Sequence, residues 1–224
     1  MSARDRIKPV PWDRAAFGCE CYELADADAA TLAAALAQPG HYTVKVDPLA
    51  DKRALHEAGF YYCDTLIEPW CVPRALAVFD DAASGLDLAP ALAPLAAICR
   101  SAFAHGRFHR DFNIEPARAD RRYENWLGQL HAEGRVIGLT HAGKPAGFIA
   151  HVDGALVLHA LGEAWRGRGL AKYWWSATAR HLFAQGCGEV RSSISAANLA
   201  VLNLYASLGF RFRKPLDVYH RMVP

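Results

Sequence analysis

Ala155-Leu-Val-Leu-His-Ala-Leu-Gly-Glu-Ala-Trp-Arg-Gly-Arg-Gly-Leu-Ala171 decides how the rest of this sequence is read. Ala155–Leu161 has the apolar pattern of a strand. It feeds a loop carrying Gly167 and Gly169, and Leu170–Gln185 follows as a long helix ended by Gly186. Glycine lets backbone N–H groups approach an anion with no Cβ in the way. The first N–H groups of a helix lack internal partners, and the helix dipole favours negative charge there. Arg166 and Arg168 add guanidinium groups of the kind that pair with phosphate oxygens. The segment therefore suits a pyrophosphate; a plain Gly-containing turn ahead of a surface helix is the simpler alternative. Two familiar nucleotide loops do not fit. There is no G-x-x-x-x-G-K-[ST], and Gly167-x-Gly169 is followed by Ala171 instead of the third Gly of a dinucleotide fingerprint, with no acidic residue ending a strand at the required distance.

Outward from this segment, Glu189–Ser195 is expected as a strand and Leu199–Leu208 as a helix ended by Gly209. Arg211–Lys214 and Asp217–Val223 are expected as two closing strands. Upstream, Val136–His141 and Ala146–Val152 flank the turn Gly143-Lys144-Pro145 and predict a hairpin. Asp120–His131 is an amphipathic helix with Tyr123, Trp126, Leu127 and Leu130 on its apolar face. Leu95–Phe103 is helical by pattern, and Gly106–Ala119 is a polar, irregular loop. Asp80–Pro94, rich in Asp, Ala, Gly, Ser and Pro, is the best linker candidate. Before it lies an α/β unit. Trp12–Glu23 places bulky residues around a Gly, Ala27–Leu36 is a helix stopped by Pro39-Gly40, and Tyr42–Val46 alternates like a strand. Lys52–Ala58 is a short helix closed by Gly59, and Phe60–Glu68 is a strand with Asp64, Leu66 and Glu68 on one face. The expected division is 1–85 and 90–224.

The 224 residues are 52% hydrophobic and 21% charged, an ordinary globular balance that excludes a disordered chain. A net charge of +2 makes no case for a nucleic-acid or membrane surface. No stretch approaches the roughly 18 apolar residues of a membrane helix, and Met1–Pro11 lacks a signal core, so a cytoplasmic protein is expected. Cys19, Cys21, Cys63, Cys71, Cys99 and Cys187 include one C-x-C with no second pair, which predicts reduced packing thiols. The ten histidines show no H-E-x-x-H or His/Cys ligand spacing, so no metal is expected.

Arg166-x-x-Gly169-x-Ala171 matches the acyl-CoA signature R/Q-x-x-G-x-G/A of the GNAT acetyltransferase superfamily. Asn198-Leu-Ala-Val-Leu-Asn-Leu-Tyr205-Ala-Ser-Leu-Gly209-Phe210 resembles that family's N-x-x-A-x-x-x-Y-x-x-x-G-F helix, with Val201 in place of the Ala. The two motifs stand in the right order across roughly the last 70 residues. The resemblance implies an α/β fold with a central mixed, mostly antiparallel sheet flanked by helices, preceded by a smaller α/β domain on the acceptor side. It implies acetyl-CoA as co-substrate, held by the loop Arg166, Gly167, Arg168, Gly169, Leu170 and Ala171, with main-chain contacts from His159 and Leu161 and with Asn198 steadying the cofactor arm. Shorter matches at Trp12, Phe17-Gly18, Ala102-Phe103, Arg107-Phe108 and Tyr123-x-x-Trp126 are similar to one branch, the TDP-fucosamine acetyltransferases, which acetylate the 4-amino group of a nucleotide-linked deoxysugar.

Acyl transfer from a thioester to an amine needs a neutral amine, a donor for the developing oxyanion, a proton for the departing thiolate, and alignment. Tyr205 is the candidate acid, because a phenol with a pKa near 10 stays protonated at neutral pH. Asn198 lies seven residues earlier, on the same helical face. The side chain of His159 is read as a partly buried strand residue, not a catalytic imidazole. Asp64 is the candidate base; the branch carries a Glu at the matching position, and Glu68 and solvent remain alternatives. The loop His105-Gly-Arg107-Phe-His109-Arg110-Asp111 packs cations around aromatics, so Arg107 and His109, with Glu68, are candidate acceptor contacts, while a solvated charged loop is the alternative. Trp174 and Trp175 are expected to fill core. Three functions stay open: a sugar-nucleotide N-acetyltransferase, a GNAT enzyme for another amine or a protein N-terminus, and a non-catalytic acyl-CoA-binding module. Tyr205 with Asn198 argues against the last. A homodimer is also an open expectation, through an exposed closing strand.

Overall fold

The computed structural model describes residues 2–103 and 106–224; His105 of the loop singled out above lies outside them. The first part of the chain runs β1 (Ile7–Pro9), α1 (Pro11–Phe17), β2 (Cys21–Leu24), α2 (Ala29–Leu36), β3 (Gly40–Val46), α3 (Arg53–Glu57) and β4 (Tyr61–Cys71). There follow β5 (Ser84–Asp87), α4 (Leu92–Cys99), α5 (Pro116–Ala132), β6 (Val136–His141), β7 (Lys144–Val152) and β8 (Ala155–Leu161). The last third holds α6 (Ala171–Ala184), β9 (Val190–Ser192), β10 (Ile194–Ser195), α7 (Leu199–Ser207) and β11 (Arg211–Val223).

All strands join one mixed, mostly antiparallel sheet in the order β1-β2-β3-β11-β4-β9-β8-β7-β6-β5, with β10 also paired to β4. Strands from 1–85 and 90–224 therefore alternate within a single sheet. β11 pairs antiparallel with β3 on one side and with β4 on the other. Three expectations are corrected here. The two closing strands are one strand, irregular between Arg213 and Leu216 where the β4 register shifts. That strand lies in the middle of the sheet, so it offers no free edge to a second subunit. The linker region Asp80–Pro94 contains β5, whose Ser-Gly-Leu-Asp has little strand preference of its own and is held by antiparallel pairing to β6.

The main core lies between the sheet and α6–α7. Trp174 and Trp175 are buried in it, as the sequence predicts, and the Trp174 indole N–H donates to the Thr140 carbonyl at 2.8 Å. A second core packs α4 and α5 on the other face through Leu95, Leu127 and Phe148. Each such side chain contributes about 1.5–3 kcal/mol on burial. Among the described residues no helix is long and apolar enough to cross a membrane.

Candidate active site

The expected strand Glu189–Ser195 is broken at Ser193, and the break creates the site. β9 pairs parallel with β8 only at Ala155↔Arg191 and Leu156↔Ser192. The chain then leaves β8, and β10 pairs with β4 alone. From Val157 onward, β8 thus keeps β7 on one edge and has no strand on the other. A register shift between Ala150 and His151 leaves Val157 as an extra residue in β8. Beyond it, the Gly162 N–H donates to the Ala146 carbonyl of β7 at 2.8 Å. Backbone polar groups of successive residues point to opposite edges, so His159 and Leu161 present theirs to the open edge.

Tyr205 stands beside this edge, buried on α7. Its hydroxyl lies 3.4 Å from His159 Nε2, and the two rings meet edge-on. Burial pushes the phenol up to about 12 and the imidazole down to about 4, so both are neutral at physiological pH. The His159 side chain is therefore a direct neighbour of Tyr205, which its reading as a plain strand residue did not include. Phe210 and Trp175 complete the wall around the pair.

The glycine loop follows β8. Gly167 and Gly169 take left-handed φ of 69° and 70°, which explains glycine at both, and a Cβ at either would meet open space. No side chain caps α6, so its first N–H groups are free of side-chain partners. An anion fits there. The arginines do something else in this structure. The Arg166 Nε donates to the Leu161 carbonyl at 2.8 Å, and Arg168 lies over the Trp165 ring at 5.2 Å. Asn198 caps α7 through its Oδ1, which accepts from the Val201 N–H at 3.3 Å.

Asp64 lies buried on β4, behind β10. Its Oδ1 accepts from Ser195 Oγ at 2.7 Å, the Thr65 N–H at 2.9 Å and Arg110 Nη1 at 3.1 Å. Its Oδ2 has no hydrogen bond among the described residues. Burial raises the carboxyl above its usual range, against the hydrogen bond from Ser195 and the nearby Arg110. Glu68 shares that face of β4 but is engaged elsewhere. Its carboxylate takes Arg213 and Lys214, whose hydrogen bonds outweigh burial and lower it.

Arg107 has no ion pair and no hydrogen-bonded partner among the described residues, and its Nε is buried. The guanidinium rests on the Phe108 ring at 4.6 Å, and its charge reaches Asp64. Burial lowers its proton affinity. By contrast, Arg122 is neutralised by Asp13 at 2.8 Å. His109 bonds to Asp120 at 2.9 Å and stacks on Tyr123, which fixes it to α5.

Sequence reasoning missed the anchor of this loop. Asp111 Oδ2 accepts from His41 Nε2 at 2.8 Å and His220 Nδ1 at 2.7 Å. Its Oδ1 accepts from the Tyr61 hydroxyl and the Asn113 N–H, both at 2.8 Å. The ligand-type atoms of His41, Asp111 and His220 lie within 4.8 Å of one another. The carboxylate is saturated by these four donors and pins the loop to β3, β4 and β11. Positions 41, 111 and 220 carry no spacing signal; only the sheet brings them together.

The model of the acetyltransferase (GNAT) family matches residues 97–210, half of the chain. Among solved structures, a GCN5-related N-acetyltransferase from Sphaerobacter thermophilus superposes with a TM-score of 0.60 at 11% identity, over 83% of this chain and 60% of that one. A tandem GNAT protein from the clavulanic acid biosynthesis pathway gives 0.53 at 13%, over 82% and 64%. This chain thus spans less than two thirds of the length of either. A GCN5-related N-acetyltransferase from Kribbella flavida gives 0.57 at 15%, over 90% and 80%. At such identities the likeness establishes the fold alone. No curated protein matches. With the family model resting on the stretch that carries the open strand edge, the glycine loop and Tyr205, the chain belongs to the acetyltransferase (GNAT) family.

Proposed function

We propose that this enzyme transfers acetyl from acetyl-CoA directly to the amine of a nucleotide-linked amino sugar, within a ternary complex. The observation that carries the acceptor reading is Arg107, which has a buried Nε, no ion-pair or hydrogen-bond partner among the described residues, and a charge that reaches Asp64. A desolvated guanidinium without a counter-ion is costly, and an anionic acceptor supplies the missing partner. Arg107 and Arg110 set two positive charges against the Asp64 carboxylate. The amine would face Asp64 Oδ2, the lone pair left open for a proton. His109 would shape the loop, and Glu68 would act through Arg213 and not on the amine.

On the donor side, the N–H groups of His159 and Leu161 would meet the thioester oxygen, and Tyr205 would protonate the departing thiolate. Gly167–Ala171 would bind the pyrophosphate, with Asn198 near the cofactor arm. A covalent acyl-enzyme is disfavoured, because no cysteine stands in a recognisable pairing with a His and an acid, and burial raises the thiols of Cys63 and Cys99 to about 12. Six free cysteines also support a reducing compartment such as the cytoplasm.

Two measurements test this reading. Acetyl-CoA at 100 times its Kd should stabilise the protein by about 2.7 kcal/mol. Gly169→Val should erase the resulting rise in Tm, because valine is strained at φ 70° and its side chain occupies the space open to a ligand. A full Tm shift in the variant moves the cofactor elsewhere. Arg107→Ala should raise the acceptor KM about 10- to 100-fold, the effect of losing one charge-assisted contact, with acetyl-CoA KM nearly unchanged. Equal use of neutral amines, together with an unaffected variant, would falsify the anionic-acceptor reading.

A further inference from the structure

Phe112 is the most exposed aromatic side chain described, at 78%. It follows the fully anchored Asp111, so its backbone is held in place. Its ring lies 4.4 Å from that of Tyr61, tilted by 38°. Tyr61 is itself immobilised, since its hydroxyl donates to Asp111 and accepts from Asn113 Nδ2 at 2.7 Å. One face of a rigid aromatic pair is therefore left to solvent. It sits on the same loop as Arg107 and Arg110, and Arg110 links that loop to Asp64. Exposure rises from the carboxylate of Asp64, which is buried, through Arg107, which is half-buried, to Arg110 and Phe112, which are exposed. An amine, a diphosphate and a planar base follow one another in that order in a nucleotide-linked amino sugar.

We infer that Phe112, backed by Tyr61, is the stacking platform for the nucleobase of the acceptor. The inference rests on the function proposed above. It adds that recognition extends past the sugar and phosphates to the base, and that selection is for a π-face and not for one particular base. The guanidinium groups supply the charge complementarity that directs a nucleotide, and no other apolar group, to this surface.

Isothermal titration with uridine diphosphate, thymidine diphosphate and inorganic pyrophosphate tests it, using the full chain saturated with acetyl-CoA. Phe112→Ala should weaken both nucleoside diphosphates on the order of tenfold and leave pyrophosphate unchanged, and Phe112→Trp should restore binding. Because Phe112 is exposed, loss of folding is not expected, and the melting curve checks it. If the wild type binds both diphosphates and Phe112→Ala binds them equally well, the platform is wrong while the acceptor reading stands. If pyrophosphate binds as tightly as the nucleotides, the anion site is real but no base is recognised. If none of the three binds, the acceptor reading fails and takes the platform with it. A change of oligomeric state in Phe112→Ala would reassign the ring to a contact between copies.

Discussion

Tyr205→Phe is expected to lower kcat about 10²–10⁴-fold, the usual cost of removing a positioned general acid. The ring is kept, so packing against Phe210 and Trp175 is retained, and acetyl-CoA affinity should change little. The hydroxyl makes a long 3.4 Å contact to His159, so its removal should cost no more than about 1 kcal/mol of stability. With the phenol raised to about 12, Tyr205 should impose no alkaline limb on kcat below roughly pH 11, and any limb nearer neutrality belongs to another group. Initial-rate plots should intersect, as direct transfer requires. A variant with near-normal kcat removes Tyr205 from the acid role. Parallel lines with a trapped acyl-cysteine overturn direct transfer.

The second large effect is on folding. The family model spans 97–210, which invites expression of residues 90–224 alone. That piece should not fold cooperatively. It lacks β4, the strand between β11 and β9, and it lacks β3, the other neighbour of β11. Cys71 and Ile67 of β4 also pack into the core around Trp174. Losing them opens a cavity lined by apolar groups, at a cost of several kcal/mol against a typical total of about 5–15 kcal/mol. Circular dichroism should show no sharp thermal transition in the fragment and a single one in the full chain. A fragment that melts cooperatively and binds acetyl-CoA would refute this.

The glycine loop and α7 were legible in the sequence because their determinants are local. Gly167 and Gly169 announce left-handed backbone, and Asn198 to Phe210 is one continuous helix and its stop. The surroundings of Asp64 depend on contacts between distant residues. Nothing near Asp64 in sequence signals that Ser195 and Arg110 will both take Oδ1 and leave Oδ2 open. The break at Ser193 is equally silent, since Val190–Ile194, with an apolar residue at each end, reads as one strand until its two partners diverge. The residues of β5 have the composition of a linker because they are weak strand formers, and the information that makes them a strand lies in β6. His41, Asp111 and His220 illustrate the limit: each is an unremarkable polar residue until β3 and β11 lie side by side.

The placement of β11 also sets a timetable for biogenesis. β3 and β4 do not pair with each other; each waits for a strand that ends at Val223. At about 5–20 residues per second, translation reaches that strand on the order of ten seconds after β4 is made. Throughout that interval the edges of β3 and β4 that face β11 stay unsatisfied, and no amount of early local folding can close them. Completion of the sheet is thus governed by the slow search that pairings distant in sequence impose. Until β11 arrives, those edges are open to pairing with another chain.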